Sequence, residues 1–416
     1  MIEVVASSGY ADATIARVVA QAGVSQPTFY EHFSDKQDGF IQTLREIQQQ
    51  LKVAVEASIE KASPVDARAN TIKELIALAS SSRAAALLLT NEAMAGGPHA
   101  LDMRDQGITE IARLIDVAES GLSPDTPTPD LATEVALGAV YRLIAQRLRH
   151  GQSDLVKLAH ELSAWMESYE VPISRHRWAQ LEPVELQRRS RFAPATPLRA
   201  PEPAPPGSSR RARRANQRER IMFAAAEAAQ AKGYTESTVA DIVRIAGVDY
   251  RAFSALFDSK QDAYMAVHEF GVLRVMAATA GGFFSGGSWS QRAWEAGRAF
   301  TQVLDNNPAI AHIGFVEAYA VGPAAVKRLE ESLDAFTLFL QQGQRLSRRG
   351  AQQPKVAIEA ISVANFEMAY RQTRKGPDAR LAGLLPHAIF ISLAPFMGAD
   401  ATNEFIRRQL QSGGET

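Results

Sequence analysis

Two stretches of this 416-residue chain, residues 9–40 and 233–264, align with each other without a gap at an offset of 224 positions. The residues that recur are of the types that set turns, helix caps and buried contacts. They are Gly9, Tyr10, Thr14, Gly23, Val24, Phe29, Phe33, Lys36, Gln37 and Asp38 in the first copy, and Gly233, Tyr234, Thr238, Gly247, Val248, Phe253, Phe257, Lys260, Gln261 and Asp262 in the second. The match predicts that one local fold occurs twice in the chain.

A second pair of segments extends this repeat. Residues 130–151 align with residues 355–376 at an offset of 225, so that Tyr141 corresponds to Phe366 and Arg142 to Glu367. Because the offset hardly changes between the two pairs, we infer that a whole module is duplicated. Each module then consists of a small head followed by a larger body.

The fold class predicted from the hydrophobic pattern is all-α. Nearly every periodic segment has helical spacing, and no segment shows convincing strand alternation. Eight prolines between positions 172 and 206 predict an extended, semi-rigid linker. The predicted boundaries are residues 1–45 for the first head, 46–172 for the first body, 173–209 for the linker, 210–270 for the second head and 271–416 for the second body.

Composition restricts the function classes. The hydrophobic content of 46% supports buried cores, and the net charge of −1 means that a nucleic-acid surface has to be local. Cysteine is absent, which excludes disulfides and thiol nucleophiles. No apolar run approaches the ~20 residues that span a bilayer. We therefore expect a cytoplasmic, nucleoid-associated protein without a membrane partner.

The first copy has the sequence pattern of a helix-turn-helix. Thr14 is placed to cap a helix, and Gly23 is placed to end it in the left-handed conformation. Ala22 is expected to complete the apolar face of that helix, and Val24 to fill the corner. Ser25 would cap the next helix. An ordinary helical hairpin is the alternative interpretation of this pattern.

The second helix of this motif carries the residues that would read DNA. Phe29 and Phe33 lie four positions apart and are predicted to face inward. The side chains that then face away from the core, as a recognition helix in a major groove requires, are Gln26, Thr28, Tyr30 and His32.

With these residues in place, the chain resembles the TetR family of transcriptional regulators over about fifty residues per copy (residues 13–38 match most strongly). The resemblance implies two tandem TetR-like modules, each a DNA-binding head on a helical ligand-binding and dimerisation body. It also implies binding to a double-stranded DNA operator. In family members a small molecule that enters the body commonly releases the DNA.

Carried over by position, the resemblance implies that Thr14 and Tyr30 touch phosphates, that Lys36 contacts the DNA backbone, and that Gln26, Thr28 and His32 lie nearest the bases. The full set of predicted DNA-binding residues also contains Ser25, Arg210, Arg211, Arg213, Arg214, Thr238, Tyr250, Arg251 and Lys260.

The two copies depart from the family pattern in different ways. Only eight residues precede Gly9, so helix one is short; either the natural start lies further upstream or this helix has degenerated. The second copy has Ala252, Ser254 and Leu256 where polar residues and a tyrosine are expected. The arginines from Arg210 to Arg214 are interpreted as a DNA-contacting arm, with a merely solubilising role as the alternative.

The bodies give weaker signals. Phe315, Tyr319, Phe336 and Phe366 are the candidate lining of a pocket for a small apolar effector, although such aromatics are more often plain core. The last helices of the two bodies are expected to pair within the chain as a pseudo-dimer, with a homodimer of chains as the competing assembly. We expect no catalytic residue, no metal site and no cofactor.

Two functions follow from these observations. The first is a DNA-binding regulator, a repressor that a small molecule releases from its operator. The second is a non-catalytic ligand-sensing or protein-interaction module whose heads no longer read DNA.

Overall fold

A computed structural model describes residues 1–152, 154–194 and 196–411. The predicted all-α class is confirmed, since these residues form helices almost throughout. The strands of the described part are β1 (Pro127–Pro129) and β2 (Glu170–Pro172), which pair antiparallel with Pro127 opposite Pro172.

The chain divides into two compact units. Unit 1 contains Met1–Leu181, Phe336–Glu367 and Phe390–Arg407, and unit 2 contains Glu182–Ala335, Met368–Ile389 and the C-terminal residues from Arg408. This division differs from a simple partition into two successive modules, because segments from the second half belong to unit 1.

The first half of the chain supplies most helices of unit 1. They are α1 (Ile2–Asp12), α2 (Ile15–Ala22), α3 (Gln26–His32), α4 (Lys36–Glu60), α5 (Ala67–Ser81), α6 (Arg83–Leu87), the π-helix π1 (Leu88–Glu92), α7 (Ala93–Ala95), α8 (Pro98–Ser120), α9 (Thr133–Arg149) and α10 (Leu155–Glu167). Short 3₁₀ turns lie at Pro64–Asp66 and Ile173–Arg175.

The second half begins with the same order of elements. Its helices are α11 (Arg210–Lys232), α12 (Val239–Ala246), α13 (Tyr250–Ser254), α14 (Lys260–Phe283), α15 (Trp289–Asp305), α16 (Pro308–His312), π2 (Ile313–Glu317), α17 (Ala318–Val321), α18 (Pro323–Leu346), α19 (Arg348–Ala351), α20 (Ala357–Thr373), α21 (Leu385–Met397) and α22 (Ala399–Gln411). Further 3₁₀ turns lie at Gly376–Asp378 and Ala382–Leu384. Helices α11 to α18 match α1 to α8 in order.

The predicted caps of the first head are confirmed. The hydroxyl of Thr14 accepts a hydrogen bond from the amide of Arg17, and that of Ser25 accepts one from the amide of Thr28. Gly23 ends α2 with φ +68°. These bonds satisfy backbone groups that every helix end leaves without a partner. They fix the corner between α2 and α3.

The apolar packing of this corner was predicted wrongly at two positions. Ala22 is exposed, and Val24 is 44% exposed instead of filling the corner. In the second head the matching Ala246 is buried, and Phe257 is buried with the guanidinium of Arg218 over its ring at 5.3 Å. In the second head the side chains of Arg218 and Arg220 on α11 lie against Phe257 and Gly247 and cover this corner.

The linker is largely irregular, and its residues in unit 2 are held in place by hydrogen bonds. The amide of Val184 donates to the carbonyl of Gly383 at 2.9 Å, and the amide of Leu198 donates to the side chain of Asn307 at 2.7 Å. Because its backbone groups have fixed partners, this stretch packs along unit 2 instead of spanning solvent as a free tether.

Gly23 and Gly247, the left-handed glycines that end α2 and α12, permit a stability prediction. Gly23→Ala and Gly247→Ala are each expected to lower the free energy of unfolding by about 1–2 kcal/mol, because an L side chain is strained at positive φ. Gly121 has φ −82°, and Gly121→Ala is the matched control, with an expected change below about 0.5 kcal/mol. Chemical denaturation measures all three variants, and equal effects at the three sites would contradict the prediction.

Candidate nucleic-acid interface

The recognition helix of the first head, α3, presents a row of polar side chains to solvent. Gln26 and His32 are exposed, Thr28 is half-buried, and Tyr30 is 56% exposed. On the opposite side Phe29 is buried and meets the ring of Phe33 at 5.1 Å. One face of α3 therefore anchors the helix, and the other is accessible to a partner.

Tyr30 is oriented by its neighbour on the helix. Its ring meets the buried ring of Phe29 edge to face, with centroids 5.6 Å apart and planes at 90°. This arrangement is a favourable aromatic geometry. The phenol of Tyr30 is thus held at the surface by a fixed core residue.

Lys36 has an intramolecular role in the structure. Its Nζ donates to the carbonyl of Tyr10 at 3.0 Å and lies 4.3 Å from the centre of the Tyr10 ring. Burial is the main cause that lowers the pKa of Lys36. Lys36 therefore ties the end of α1 to the start of α4, and its contact with DNA stays a prediction.

The second head repeats this arrangement. Lys260 Nζ donates to the carbonyl of Tyr234 at 2.7 Å and to that of Ser237 at 2.9 Å, and it lies 4.1 Å from the centre of the Tyr234 ring. Thr238 caps α12 through a reciprocal pair of hydrogen bonds with Asp241. Both heads are thus closed by the same lysine–tyrosine contact.

The recognition surface of the second head is smaller. Helix α13 has five residues where α3 has seven. Tyr250, which is 56% exposed, and Arg251, also exposed, stand at its beginning. Ala252 and Leu256 are half-buried and lack hydrogen-bonding side chains. This head can offer an aromatic ring and a guanidinium, but few groups that could read base edges.

The predicted basic arm is helical and not extended. Arg210, Arg211, Arg213 and Arg214 form the exposed first turns of α11, which Ser209 caps. Arg214 also donates to the carbonyl of Ala255 at 2.5 Å, next to the end of α13. The arginine cluster is therefore a surface of the second head itself.

A half-buried carboxylate connects the first head to its body. Glu92, the last residue of π1, accepts a hydrogen bond from the amide of Tyr10 at 2.8 Å. The side chain of Asn91 donates to the other Glu92 oxygen at 2.7 Å, and Arg149 at the end of α9 donates to Asn91. A continuous chain of hydrogen bonds thus runs from the head to the end of α9.

The second head has the same connection. Glu317, the last residue of π2, accepts from the amide of Tyr234 at 3.0 Å and pairs with His312 Nε2 at 2.8 Å. The sequence suggested Glu317 only as a polar group of the second body, and it assigned neither glutamate to a junction of head and body. A signal was present, because residues 92–98 and 317–323 share the pattern E-A-x-A-x-G-P at the offset of 225. π-helical turns often accompany functional sites, and here each ends at the junction of head and body.

The junction of the first head is expected to respond to pH. Burial of the carboxylate is the largest cause that raises the pKa of Glu92 above its ordinary value. A raised pKa in the folded state means that the stability from Glu92 is greatest at low pH and is lost as the pH rises through that pKa.

Glu92→Gln keeps an oxygen for the Tyr10 amide but removes the charge. The free energy of unfolding of the variant should therefore rise relative to that of the wild type as the pH is raised from about 4 to about 7, because only the wild type has to ionise a carboxyl whose pKa is raised in the folded state. The control is Glu3→Gln, which makes the same chemical change at an exposed position of α1. Identical pH profiles for wild type and Glu92→Gln would contradict the prediction.

The four aromatics predicted to line an effector pocket fall in different units. Phe315 and Tyr319 are buried in unit 2, whereas Phe336 and Phe366 belong to unit 1. Phe366 is buried beneath the guanidinium of Arg142, which lies 4.3 Å from the centre of its ring. A common pocket for these four residues stays a prediction.

Two structural absences concern the described residues. No helix among them is long and apolar enough to cross a membrane. No group of three or more His, Cys, Asp or Glu side chains in the same part of the chain could hold a metal ion.

The capped helix pair, the exposed polar face of α3 and the helical body define a helix-turn-helix DNA-binding regulator. Residues 2–41 match the family model of the bacterial regulatory proteins of the tetR family. The resemblance predicted for the first head is thereby confirmed over these residues, and this head is of the DNA-binding type that bacterial tetR-family regulators carry.

Comparison with whole proteins adds little. No curated protein matches the chain. Among solved structures, the fatty acid degradation regulator FadR from Bacillus halodurans is similar over 42% of this chain and 94% of its own, with 15% sequence identity and a TM-score of 0.39.

Proposed function

We propose that the protein is a repressor that binds a double-stranded DNA operator chiefly through its first head and leaves it when a small apolar effector binds a body. The observation that carries the proposal is the exposed polar face of α3, anchored from behind by Phe29. Gln26, Thr28 and His32 would read bases, and Tyr30 would fix the register on the phosphates.

The second head would position the protein instead of reading sequence. Its exposed arginines on α11, with Tyr250 and Arg251 on α13, supply positive charge and an aromatic ring. Such groups neutralise phosphates and add affinity for any DNA sequence. The two heads would therefore contribute unequally to specificity.

The hydrogen bonds at the junction support release by an effector. In each module a glutamate at the end of a π-helix holds the amide of the head's tyrosine, Tyr10 or Tyr234. A ligand that alters the packing of the π-helix would change the position of this acceptor and tilt the head. Two arrangements of one element are what such a switch requires.

The experiment uses the full chain, a random-sequence duplex library for selection, and fluorescence anisotropy with the selected duplex and a scrambled one. We expect preferential binding to the selected duplex, with a log–log salt slope of about 0.9 per neutralised phosphate. Tyr30→Ala should weaken this binding, whereas the matched change Ser254→Ala should leave it unaltered. Failure of the library to yield any preferred sequence would overturn the proposal.

A non-catalytic sensing or protein-interaction module is the second candidate. The short helix α13 and the exposed apolar corner at Val24 favour it, because both reduce the surface for DNA. The same experiment separates the two functions. Binding that is equally weak for all duplexes and unaffected by Tyr30→Ala would favour the second candidate.

A further inference from the structure

Two residues at matching positions of the repeat contact each other inside unit 1. Arg142 on α9 and Glu367 on α20 correspond at the offset of 225, and Arg142 Nε donates to Glu367 Oε2 at 2.8 Å. Glu367 is 0% exposed and Arg142 is 5% exposed. When matching positions of two repeats meet each other, they lie on the local two-fold axis that relates the two helices.

The buried contact contains a third charged group. Arg104 on α8 donates to both oxygens of Glu367, at 3.0 Å and 2.9 Å, and is 1% exposed. The carboxylate of Glu367 is thus held by two guanidiniums, one of them bidentate. Buried charges tolerate such a place only when they are paired and hydrogen-bonded.

The shapes of the two helices are complementary at the same point. Gly138 on α9 faces the side chain of Glu367, and a Cβ at Gly138 would lie 2.3 Å from Glu367 Cγ. The matching residue of the second half is Val363. Only the first copy of the repeat therefore leaves room for the glutamate.

We propose that Arg142, Glu367 and Gly138 form a pairing determinant that joins α9 to residues 357–367 of α20 within one chain and excludes pairing with a second copy of the same helix. Self-pairing of α9 would place Arg142 against Arg142 on the axis. Self-pairing of α20 would place Glu367 against Glu367 and against Val363. Both combinations bury like charges, and the second also adds a steric clash.

Other contacts in unit 1 join the same two parts of the chain. The hydroxyl of Tyr169 donates to the carbonyl of Ile391 at 2.8 Å, and Trp178 Nε1 donates to the side chain of Asn403 at 2.6 Å. These contacts stabilise the association of the two parts of the chain, whereas the charged pair determines which helix α9 associates with. The inference concerns assembly and does not depend on DNA binding.

The test exchanges the charges of Arg142 and Glu367 in the full chain, first one at a time and then together. All variants carry Arg104→Met, which removes the second guanidinium that donates to Glu367. Arg142→Glu alone creates two buried carboxylates, and Glu367→Arg alone creates two buried guanidiniums. Each is expected to lower the unfolding temperature by roughly 10 °C, and combining them should recover most of the loss. Exchanging the exposed pair of Arg328 and Glu331 is the control and should have no effect.

Light scattering gives the second measurement. Wild type and the doubly exchanged variant should have the 45.2-kDa mass of one chain. When the two singly exchanged variants are co-refolded, each provides the charge that the other lacks, and a two-chain mass should appear only in the mixture. The mass of the co-refolded mixture tests the proposal even if one of the single variants does not fold by itself.

Three results would overturn the proposal. They are equal unfolding temperatures across the cycle, a mixture that gains no two-chain species, and a two-chain wild type.

Discussion

Glu367→Ala is expected to lower the free energy of unfolding by about 3–5 kcal/mol, because it removes the fully buried carboxylate to which the guanidiniums of Arg104 and Arg142 both donate. Arg104 keeps its contact with Asp105. Urea denaturation followed by circular dichroism measures the loss. The control is Glu404→Ala, which removes an exposed partner of Arg407 and should change stability by less than about 1 kcal/mol.

A third variant separates charge from packing. When Arg104→Met, Arg142→Met and Glu367→Leu are combined, the three most deeply buried charges of the cluster are removed, and apolar groups of similar volume often replace a buried ionic cluster with little loss. We expect stability close to that of the wild type. A triple variant as unstable as Glu367→Ala would show that shape, and not uncompensated charge, explains the loss.

The second large effect concerns DNA reading. Thr28→Ala and His32→Leu together give the first head the side chains that the second head has at Ala252 and Leu256. Each base contact contributes about 1–3 kcal/mol, so affinity for the selected duplex should fall about 30-fold or more. Affinity for a scrambled duplex should hardly change, because phosphate contacts remain.

The reciprocal change provides the control. Tyr250→Ala with Arg251→Ala in the second head should weaken binding to the selected and scrambled duplexes by the same factor, since these residues are expected to act on phosphates. Anisotropy titrations at one fixed salt concentration compare all variants. A larger loss of specificity from the second-head variant than from the first would reverse the assignment of roles.

Short-range features of the heads could be predicted because their causes are local. Thr14, Gly23 and Ser25 act on backbone groups within five positions, so residue type and spacing indicate their roles. The same local rules failed at Ala22 and Val24. Their burial depends on whether side chains of another helix cover the corner, as Arg218 and Arg220 of α11 do in the second head.

The junction residues show a second limit. Glu92 and Glu317 look like ordinary helical residues until the π-helices bring them against the amides of Tyr10 and Tyr234. Alignment of the two halves shows that these glutamates recur at matching positions, but it does not indicate what they contact. Lys36 was assigned to DNA by resemblance, and its internal bond to Tyr10 depends on the approach of α4 to the end of α1.

The amino-acid sequence by itself determined the helical class, the repeat, the helix caps and the membership of the first head in the TetR type. These depend on periodicity, turn chemistry and short spacing, which can be read along the chain. Only the tertiary structure decided that Arg142 meets Glu367, that Gly138 makes room for it, and that the polar face of α3 is exposed. Residues 225 positions apart have no local signal for contact, because their meeting depends on how whole helices pack.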